Sequence, residues 1–263
     1  MENFPITDNF LNEESLITPS KLLVGADKNI EQKREELKKL NITSAVLCFF
    51  KDDEYDKEIK DKFEYFYQIG DGGVNLPIYI YDNKTLVVSV TIGGACASLV
   101  MEELSFFGIT KFLAFGSAGC INPEFDTSKL ILVKNAIRDD GASYQYIKPS
   151  LYVETSEKQN QELSAFLKEK NVDFSFETTW TTDAIYRETA GRANLRLSQG
   201  ATAVEMECAS WCAVAKYHNF EFSQILYFTD AINQKQWDWI DGQDVFVKIK
   251  NEILKLALDF MTR

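Results

Sequence analysis

Positive charge is scarce in this chain. Its 263 residues include 28 lysines and arginines against 40 aspartates and glutamates, which gives a net charge of −12. Nucleic acids and anionic membrane surfaces both need a basic partner, so the charge balance argues against either one. No apolar run reaches the ~18 residues of a membrane span. The first eight residues lack the basic patch and apolar core of a signal peptide, and we expect a cytoplasmic protein.

Histidine and paired cysteines are scarce as well. The one histidine, His218, sits late in a helical pattern and is expected at the surface, which argues against a Ser-His-Asp hydrolase. The five cysteines include no Cys-x-x-Cys pair. Cys208 and Cys212 have a helical spacing that a metal could use, but their apolar context favours core packing. The chain also lacks a Gly-x-Gly-x-x-Gly motif, so we predict neither a metal nor a bound cofactor.

Apolar residues, by contrast, make up 45% of the chain, enough for a sizeable core. Strands are predicted over residues 44–50, 77–81, 85–91, 111–116, 129–137, 173–177, 201–205 and 224–229, and helices over 31–40, 93–107, 157–170, 207–218 and 245–261. This alternation predicts a single α/β domain, with a mixed, mainly parallel central sheet and helices on both faces. Residues 1–41 are expected to pack as an N-terminal extension on a main domain of residues 42–263.

Two acidic segments stand out against this apolar background. They are Ala203-Val204-Glu205-Met206-Glu207-Cys208-Ala209-Ser210-Trp211 and Phe228-Thr229-Asp230. Carboxylates are rarely buried without partners. Glu207 is expected in the first turn of a helix, where the dipole favours a carboxylate, and Asp230 just past the end of a strand. Ligands bind at the carboxyl ends of such strands, so three acids there predict a site for hydroxyl groups and a proton. The alternative is that both glutamates are satisfied surface acids and Met206 fills the core.

Further segments carry a family resemblance. They are Gly93-Gly94-Ala95-Cys96-Ala97-Ser98, Met101-Glu102-Glu103-Leu104, Phe115-Gly116-Ser117-Ala118-Gly119, and Thr181-Thr182-Asp183-Ala184-Ile185-Tyr186-Arg187-Glu188-Thr189. Together with the acidic segments they resemble the nucleoside phosphorylase and nucleosidase superfamily, over residues 42–230. Residues 136–144 are similar to its uridine-phosphorylase-like branch. The resemblance implies an enzyme that cleaves the N-glycosidic bond of a nucleoside, with residues 42–263 as the catalytic domain of a homo-oligomer (dimer, trimer or hexamer).

The resemblance also implies residue roles. Asp230 protonates the departing base, and Glu207, with Glu205, accepts hydrogen bonds from the ribose hydroxyls. Met206 lies under the sugar. The remaining expected substrate contacts are Gly94, Ser117, Ala118, Gly119, Ile185 and Tyr186, with the glycine-containing segments interpreted as loops at strand ends. For Trp237 and Trp239, packing in the core or an interface is favoured over capping the pocket.

Several positions depart from the family pattern. Thr189 and Gly191 occupy the offsets of the glutamine and arginine that bind uracil, while Asp230 suits a purine nitrogen, so a purine nucleoside is favoured over uridine. Ala114 occupies the position of a phosphate-binding arginine, which Lys51, Arg138 or a neighbouring subunit would have to replace. Phosphorolysis, with phosphate as co-substrate and no other cofactor, is expected narrowly from the family. Hydrolysis by a nucleosidase and a non-catalytic nucleoside-binding protein are the alternatives.

Overall fold

The computed structural model of the protein describes residues 11, 13–51, 53–70, 75–232, 237–240 and 243–263. Its helices are α1 Pro19–Ala26, α2 Ile30–Lys39, α3 Lys57–Lys60, α4 Gly94–Phe106, α5 Glu157–Glu169, α6 Ala190–Ser198, α7 Cys208–His218 and α8 Gln243–Met261. Its strands are β1 Ser44–Cys48, β2 Phe63–Ile69, β3 Leu76–Tyr81, β4 Thr85–Ser89, β5 Lys111–Cys120, β6 Leu130–Asp139, β7 Tyr152–Glu154, β8 Phe174–Thr182, β9 Ala201–Glu205, β10 Glu221–Ile232 and β11 Trp237–Trp239.

These strands form one mixed sheet in the order β11-β10-β6-β8-β9-β5-β1-β4-β3-β2, with β7 beside β6. Because β10 also pairs with β5, strands β5, β10, β6, β8 and β9 close a ring. The parallel pairings are β1 with β4 and β5, β10 with β5, and β8 with β6 and β9. The predicted single α/β domain with a mixed sheet is confirmed.

Helices cover both faces of this sheet, as the continuous apolar runs of its central strands require. Along β1, Leu47 belongs to a core cluster that includes side chains of α1, α2, α4 and α7. Its neighbour Val46 points to the opposite face and joins a second cluster with α5 and α8. Among the described residues, no helix has the length and apolar character needed to cross a membrane.

The N-terminal helices share the core of the rest of the chain. Thr18 caps α1 by accepting a hydrogen bond from the Lys21 amide, and Pro19 stands at its first position. Leu23 of α1 and Leu37 of α2 are buried in the same cluster as Leu104 of α4. The boundary proposed at residue 41 falls between α2 and β1. Residues 1–10 and 12 of the proposed extension lie outside the described residues.

Two strands run further than predicted. The segment Phe115–Gly119, expected as a loop, is part of β5, and Asp230, expected just past a strand, is inside β10. These two predictions were wrong because β5 and β10 pair in parallel as far as Cys120 and Ala231, with one register shift before Asp230. Tertiary pairing therefore holds small residues in an extended strand that their own propensity does not favour.

Candidate active site

A cavity of about 910 Å³ opens at the C-terminal ends of β1, β4, β5, β9 and β10. This edge is where α/β sheets bind ligands, and the volume is in the range of small-molecule sites. Of the residues predicted to contact substrate, those at the cavity are Ser117, Ala118, Gly119, Ile185, Tyr186, Glu205, Met206, Glu207 and Asp230. Its other described charged and aromatic residues are Phe49, Phe50, Lys51, Glu54, Glu188, Trp237, Trp239 and Lys250.

Glu205 lies at the end of β9, and both of its carboxylate oxygens accept hydrogen bonds from other residues of the protein. Oε2 accepts hydrogen bonds from the backbone amides of Glu207 at 2.8 Å and Cys208 at 2.7 Å. Oε1 accepts from the Thr181 hydroxyl at 2.5 Å and the Thr179 hydroxyl at 3.4 Å. Burial raises the pKa of Glu205, and these hydrogen bonds oppose the shift. Glu205 thus anchors the N-terminus of α7, which places Glu207 beside the cavity.

Glu207 is the N-cap residue of α7 and is 5% exposed. Its Oε1 accepts a hydrogen bond of 2.6 Å from the Gly93 amide, which precedes α4. Burial, followed by the charge of Glu205, raises the pKa of Glu207. The two glutamates therefore resist carrying two charges at once. A hydroxyl-bearing ligand that donates to Glu207 would stabilise its ionised form.

Asp230 lies on β10 with both carboxylate oxygens held. The Trp237 indole nitrogen donates to Oδ2 at 2.8 Å, and the Thr229 hydroxyl donates to Oδ1 at 2.8 Å. On the neighbouring strand β5, a side chain at Gly119 would meet Asp230 Oδ2 at 2.9 Å from its Cβ. Glycine is therefore required at position 119 so that the carboxylate can lie against the strand.

Sequence reasoning missed Glu188, a half-buried carboxyl group at the same cavity. Burial, and after it the charge of Asp230, raises the pKa of Glu188 to about 7, and Arg192 opposes the shift. The residue was overlooked because it stands in an exposed turn after the Ile185-Tyr186 pair, where a charged side chain is ordinary. Its perturbed pKa in a cleft marks it as a functional candidate.

Glu205, Glu207 and Asp230, the three acids that the sequence motifs single out, line this one cavity. The profile of the phosphorylase superfamily matches residues 45–261, most of the chain. The chain belongs to the phosphorylase superfamily.

Individual members of the superfamily match shorter stretches. Uridine phosphorylase of Haemophilus influenzae is 35% identical over 69 residues, 26% of this chain and 27% of that protein. Guanosine phosphorylase of Halorubrum lacusprofundi is 24% identical over 137 residues, 52% of this chain and 57% of that protein. The alignments thus span about a quarter to just over half of these relatives.

Solved structures of the superfamily share the fold. Futalosine hydrolase of Helicobacter pylori superposes with a TM-score of 0.64 at 21% identity, over 82% of this chain and 97% of that one. Uridine phosphorylase of Vibrio fischeri gives a TM-score of 0.66 at 20% identity, over 84% and 90%. At these identities the likeness establishes the fold, which one phosphorylase and one hydrolase share.

Gly94 is the predicted contact residue that the structure does not place at the cavity. It is buried inside the first turn of α4 against α7, where a Cβ would overlap the Ser210 hydroxyl oxygen. Ser210 in turn donates to Asp140 at 2.6 Å. The glycine therefore lets α4 and α7 approach closely, and its neighbour Gly93 supplies the amide that contacts Glu207. Gly93 has a φ of 111°, a conformation that favours glycine.

Arg138 is not available to replace the missing phosphate-binding arginine. Its side chain is 3% exposed and donates to the Ser143 hydroxyl, the Ser150 hydroxyl and the carbonyls of Ile147 and Lys148. The guanidinium therefore orders residues 143–150 at a distance from the cavity lining. The basic groups that do line the cavity, among the described residues, are Lys51 and Lys250.

One wall of the cavity is open and largely aromatic. Ile185 is 54% exposed and Tyr186 is 95% exposed. Trp237 and Trp239 of β11 pack on each other with ring centroids 4.8 Å apart, and both line the cavity. Their exposure of 50% and 64% excludes the core position, while the cap and the interface stay predictions. Flat, exposed indoles are suited to cover a planar aromatic ligand.

Other sequence expectations concern residues away from the cavity. Cys48, Cys120, Cys208 and Cys212 are buried free thiols, as predicted, and Cys96 is half-buried. His218 is not fully exposed, because it stacks on Phe220 and shares a 2.9 Å hydrogen bond with Glu102.

Proposed function

We propose that this protein cleaves the N-glycosidic bond of a nucleoside with a purine-type base. The observation that supports this most directly is the presence of Glu207, Asp230 and Glu54 at one cavity. In the proposed reaction Glu207 accepts hydrogen bonds from the 2′- and 3′-hydroxyls, which strengthen as the sugar becomes oxocarbenium-like. Asp230 donates a proton to the departing base. Met206 packs under the sugar.

The base-side residues favour a purine over uracil. Thr189 uses its hydroxyl to cap α6, where it accepts from the Arg192 amide, and Gly191 has no side chain. Neither can make the contacts of the glutamine and arginine that bind uracil in uridine phosphorylases. Glu188 instead offers a carboxylate that can accept N–H groups from the edge of a base. Asp230 completes the edge as the proton donor to a ring nitrogen.

Water is the nucleophile that the cavity favours. Burial works to raise the pKa of Glu54, but the hydrogen bond and charge of Lys250, with the Lys51 amide and charge, outweigh it and lower the pKa. Glu54 is therefore ionised at neutral pH and can act as a base. Water attacks C1′ as the C1′–N bond breaks, one water proton passes to Glu54, and the proton of Asp230 passes to the base nitrogen. The products are free base and free pentose.

Phosphorolysis, expected narrowly from the family, is the second candidate. The exposed ammonium of Lys51 at the cavity is the observation that favours it. A phosphate dianion would share the cavity with the ionised Glu54, and like charges 4 Å apart repel by about 4 kcal/mol at an effective dielectric near 20. The homo-oligomeric state and the cytoplasmic location stay predictions.

The test is incubation of the protein with a panel of purine and pyrimidine nucleosides, with and without phosphate, followed by chromatography of base and sugar products. Free pentose at a rate that phosphate does not raise is the expected result. Pentose 1-phosphate formed in proportion to added phosphate would establish phosphorolysis instead. Binding without release of any base would make the protein a non-catalytic nucleoside binder.

A further inference from the structure

A half-buried ion pair lies in the part of the cavity lined by Phe50. Lys250 of α8 donates to Glu54 Oε2 at 2.9 Å, and the two side chains are 19% and 18% exposed. The Lys250 ammonium also lies 5.4 Å from the centroid of the Phe50 ring. Water and salt screen a half-buried pair less than a fully exposed one.

Helix α8 positions the carboxylate as well as pairing with it. Asn251, next to Lys250, donates its amide to the Glu54 carbonyl at 2.8 Å and accepts from the Asp56 amide at 2.9 Å. The Glu54 side chain also accepts from the Lys51 amide at 3.1 Å. The backbone from the Glu54 carbonyl to the Asp56 amide is therefore tied to the helix that carries Lys250.

The ion pair is connected to the predicted substrate contacts. Tyr227 of β10 hydrogen-bonds Ser117 and lies within electrostatic range of Glu54. Ser117 is exposed to the cavity on β5. Glu54 and Ser117 thus line the same cavity.

Glu54 lowers the positive charge that Lys51 and Lys250 bring to the cavity. Lys51 and Lys250 contribute two positive charges, and Glu54 cancels one of them. Without the Glu54 carboxylate, the ammonium groups of Lys51 and Lys250 would both face the cavity, and Lys250 would lose the carboxylate with which it pairs. Two such ammonium groups attract a dianion, whereas the native combination offers a base to a neutral nucleophile.

We propose that the Glu54–Lys250 ion pair determines which nucleophile this protein uses, water being accepted and phosphate excluded. The inference rests on the proposed function. Glu54 takes the proton of water, and Lys250 is a positioning residue that holds Glu54 in the cavity. Phosphate needs no base, because its oxygen is already anionic. Attack of that oxygen on C1′ breaks the C1′–N bond and yields pentose 1-phosphate, while Asp230 protonates the base as before.

The experiment compares Glu54→Gln, Lys250→Met and the double variant with the wild type, each with and without inorganic phosphate. Glu54→Gln is expected to lose about 10²–10⁴-fold of its phosphate-independent base release. Phosphate should restore base release in this variant and produce pentose 1-phosphate. Lys250→Met should release base roughly tenfold more slowly than the wild type without phosphate. Added phosphate should not raise the rate of base release in Lys250→Met or in the double variant.

A second ion pair on the same elements provides the matched control. Lys255 of α8 donates to Asp56 Oδ2 at 2.6 Å, but these side chains are 49% and 45% exposed and do not line the cavity. Asp56→Asn and Lys255→Met should therefore keep the wild-type rate and give free pentose. If these two variants lose base release and respond to phosphate as the variants of Glu54 and Lys250 do, the effect comes from loosening of α8. That result would overturn the proposal.

Different outcomes would overturn the ion-pair proposal and the proposed function. Base release by the wild type without phosphate rescue of Glu54→Gln overturns the ion-pair proposal alone. No base release by the wild type from any nucleoside overturns the proposed function and this inference with it. If Glu54→Gln fails to fold by circular dichroism, the wild type decides, because pentose 1-phosphate from the unmodified protein contradicts exclusion of phosphate.

Discussion

Replacing Glu207 by glutamine should reduce the preference for ribonucleosides over 2′-deoxyribonucleosides. Glu207 Oε1 accepts the Gly93 amide at 2.6 Å, so the oxygen of a glutamine would be held there. The amide nitrogen would then face the sugar. A group that accepted hydrogen bonds from the hydroxyls is thereby replaced by one that donates to them, in a site that is 5% exposed.

The magnitude follows from the strength of the hydrogen bonds lost. Hydrogen bonds to a charged group contribute about 1.5–3 kcal/mol, and neutral ones about 0.5–1.5 kcal/mol. The exchange therefore costs about 1–1.5 kcal/mol per hydroxyl, which is roughly tenfold in rate. A ribonucleoside presents two such hydroxyls to Glu207 and a 2′-deoxyribonucleoside presents one. The ratio of the two kcat/KM values should fall about tenfold in the variant.

The assay measures kcat/KM for a matched pair of purine ribonucleoside and 2′-deoxyribonucleoside, in the wild type and in Glu207→Gln. Thermal unfolding of both proteins checks that the variant is folded. Equal losses on the two sugars would refute the assignment, because they would mean that Glu207 does not hold the 2′-hydroxyl.

Three other substitutions test the remaining carboxyl groups. Asp230→Asn should lower kcat about 10²–10⁴-fold with little change in substrate binding, and unchanged turnover would remove Asp230 from the mechanism. Because the pKa of Glu188 is raised to about 7, its carboxylate is lost as the pH falls through that value, so purine binding should weaken below about pH 7. Glu188→Gln should flatten that pH dependence, and an unaltered profile assigns the titration elsewhere. Glu205→Gln should lower the free energy of unfolding by about 1–3 kcal/mol, because the glutamine amide nitrogen cannot accept hydrogen bonds in the place of one carboxylate oxygen. It should leave the preference for ribonucleosides over 2′-deoxyribonucleosides unchanged. A changed preference without destabilisation would give Glu205 a direct sugar contact.

Much of the fold was predictable because its signals are local. The continuous apolar run of residues 44–50 predicted a buried strand, which is β1, and the strands predicted over 77–81 and 85–91 are β3 and β4, which pair with each other. The ends of β5 and β10 were not predictable in the same way. Their extension depends on pairing between segments about a hundred residues apart, and Gly116 and Gly119 favour turns when considered alone.

The candidate site divides along the same line. By itself the sequence determined the family, the α/β class, and Glu207 and Asp230 as candidates, because acids in an apolar context are a local pattern that burial makes costly. Only the tertiary structure decided which acids are available. In the structure Glu205 accepts hydrogen bonds from the backbone of α7, and Arg138 is buried and donates to carbonyl groups. Gly94 packs against Ser210 of α7 and does not line the cavity. The tertiary structure also brought Glu54 and Lys250 together from positions 196 apart in the chain. Their proximity depends on the packing of α8 against the sheet, and no local pattern in the sequence encodes it.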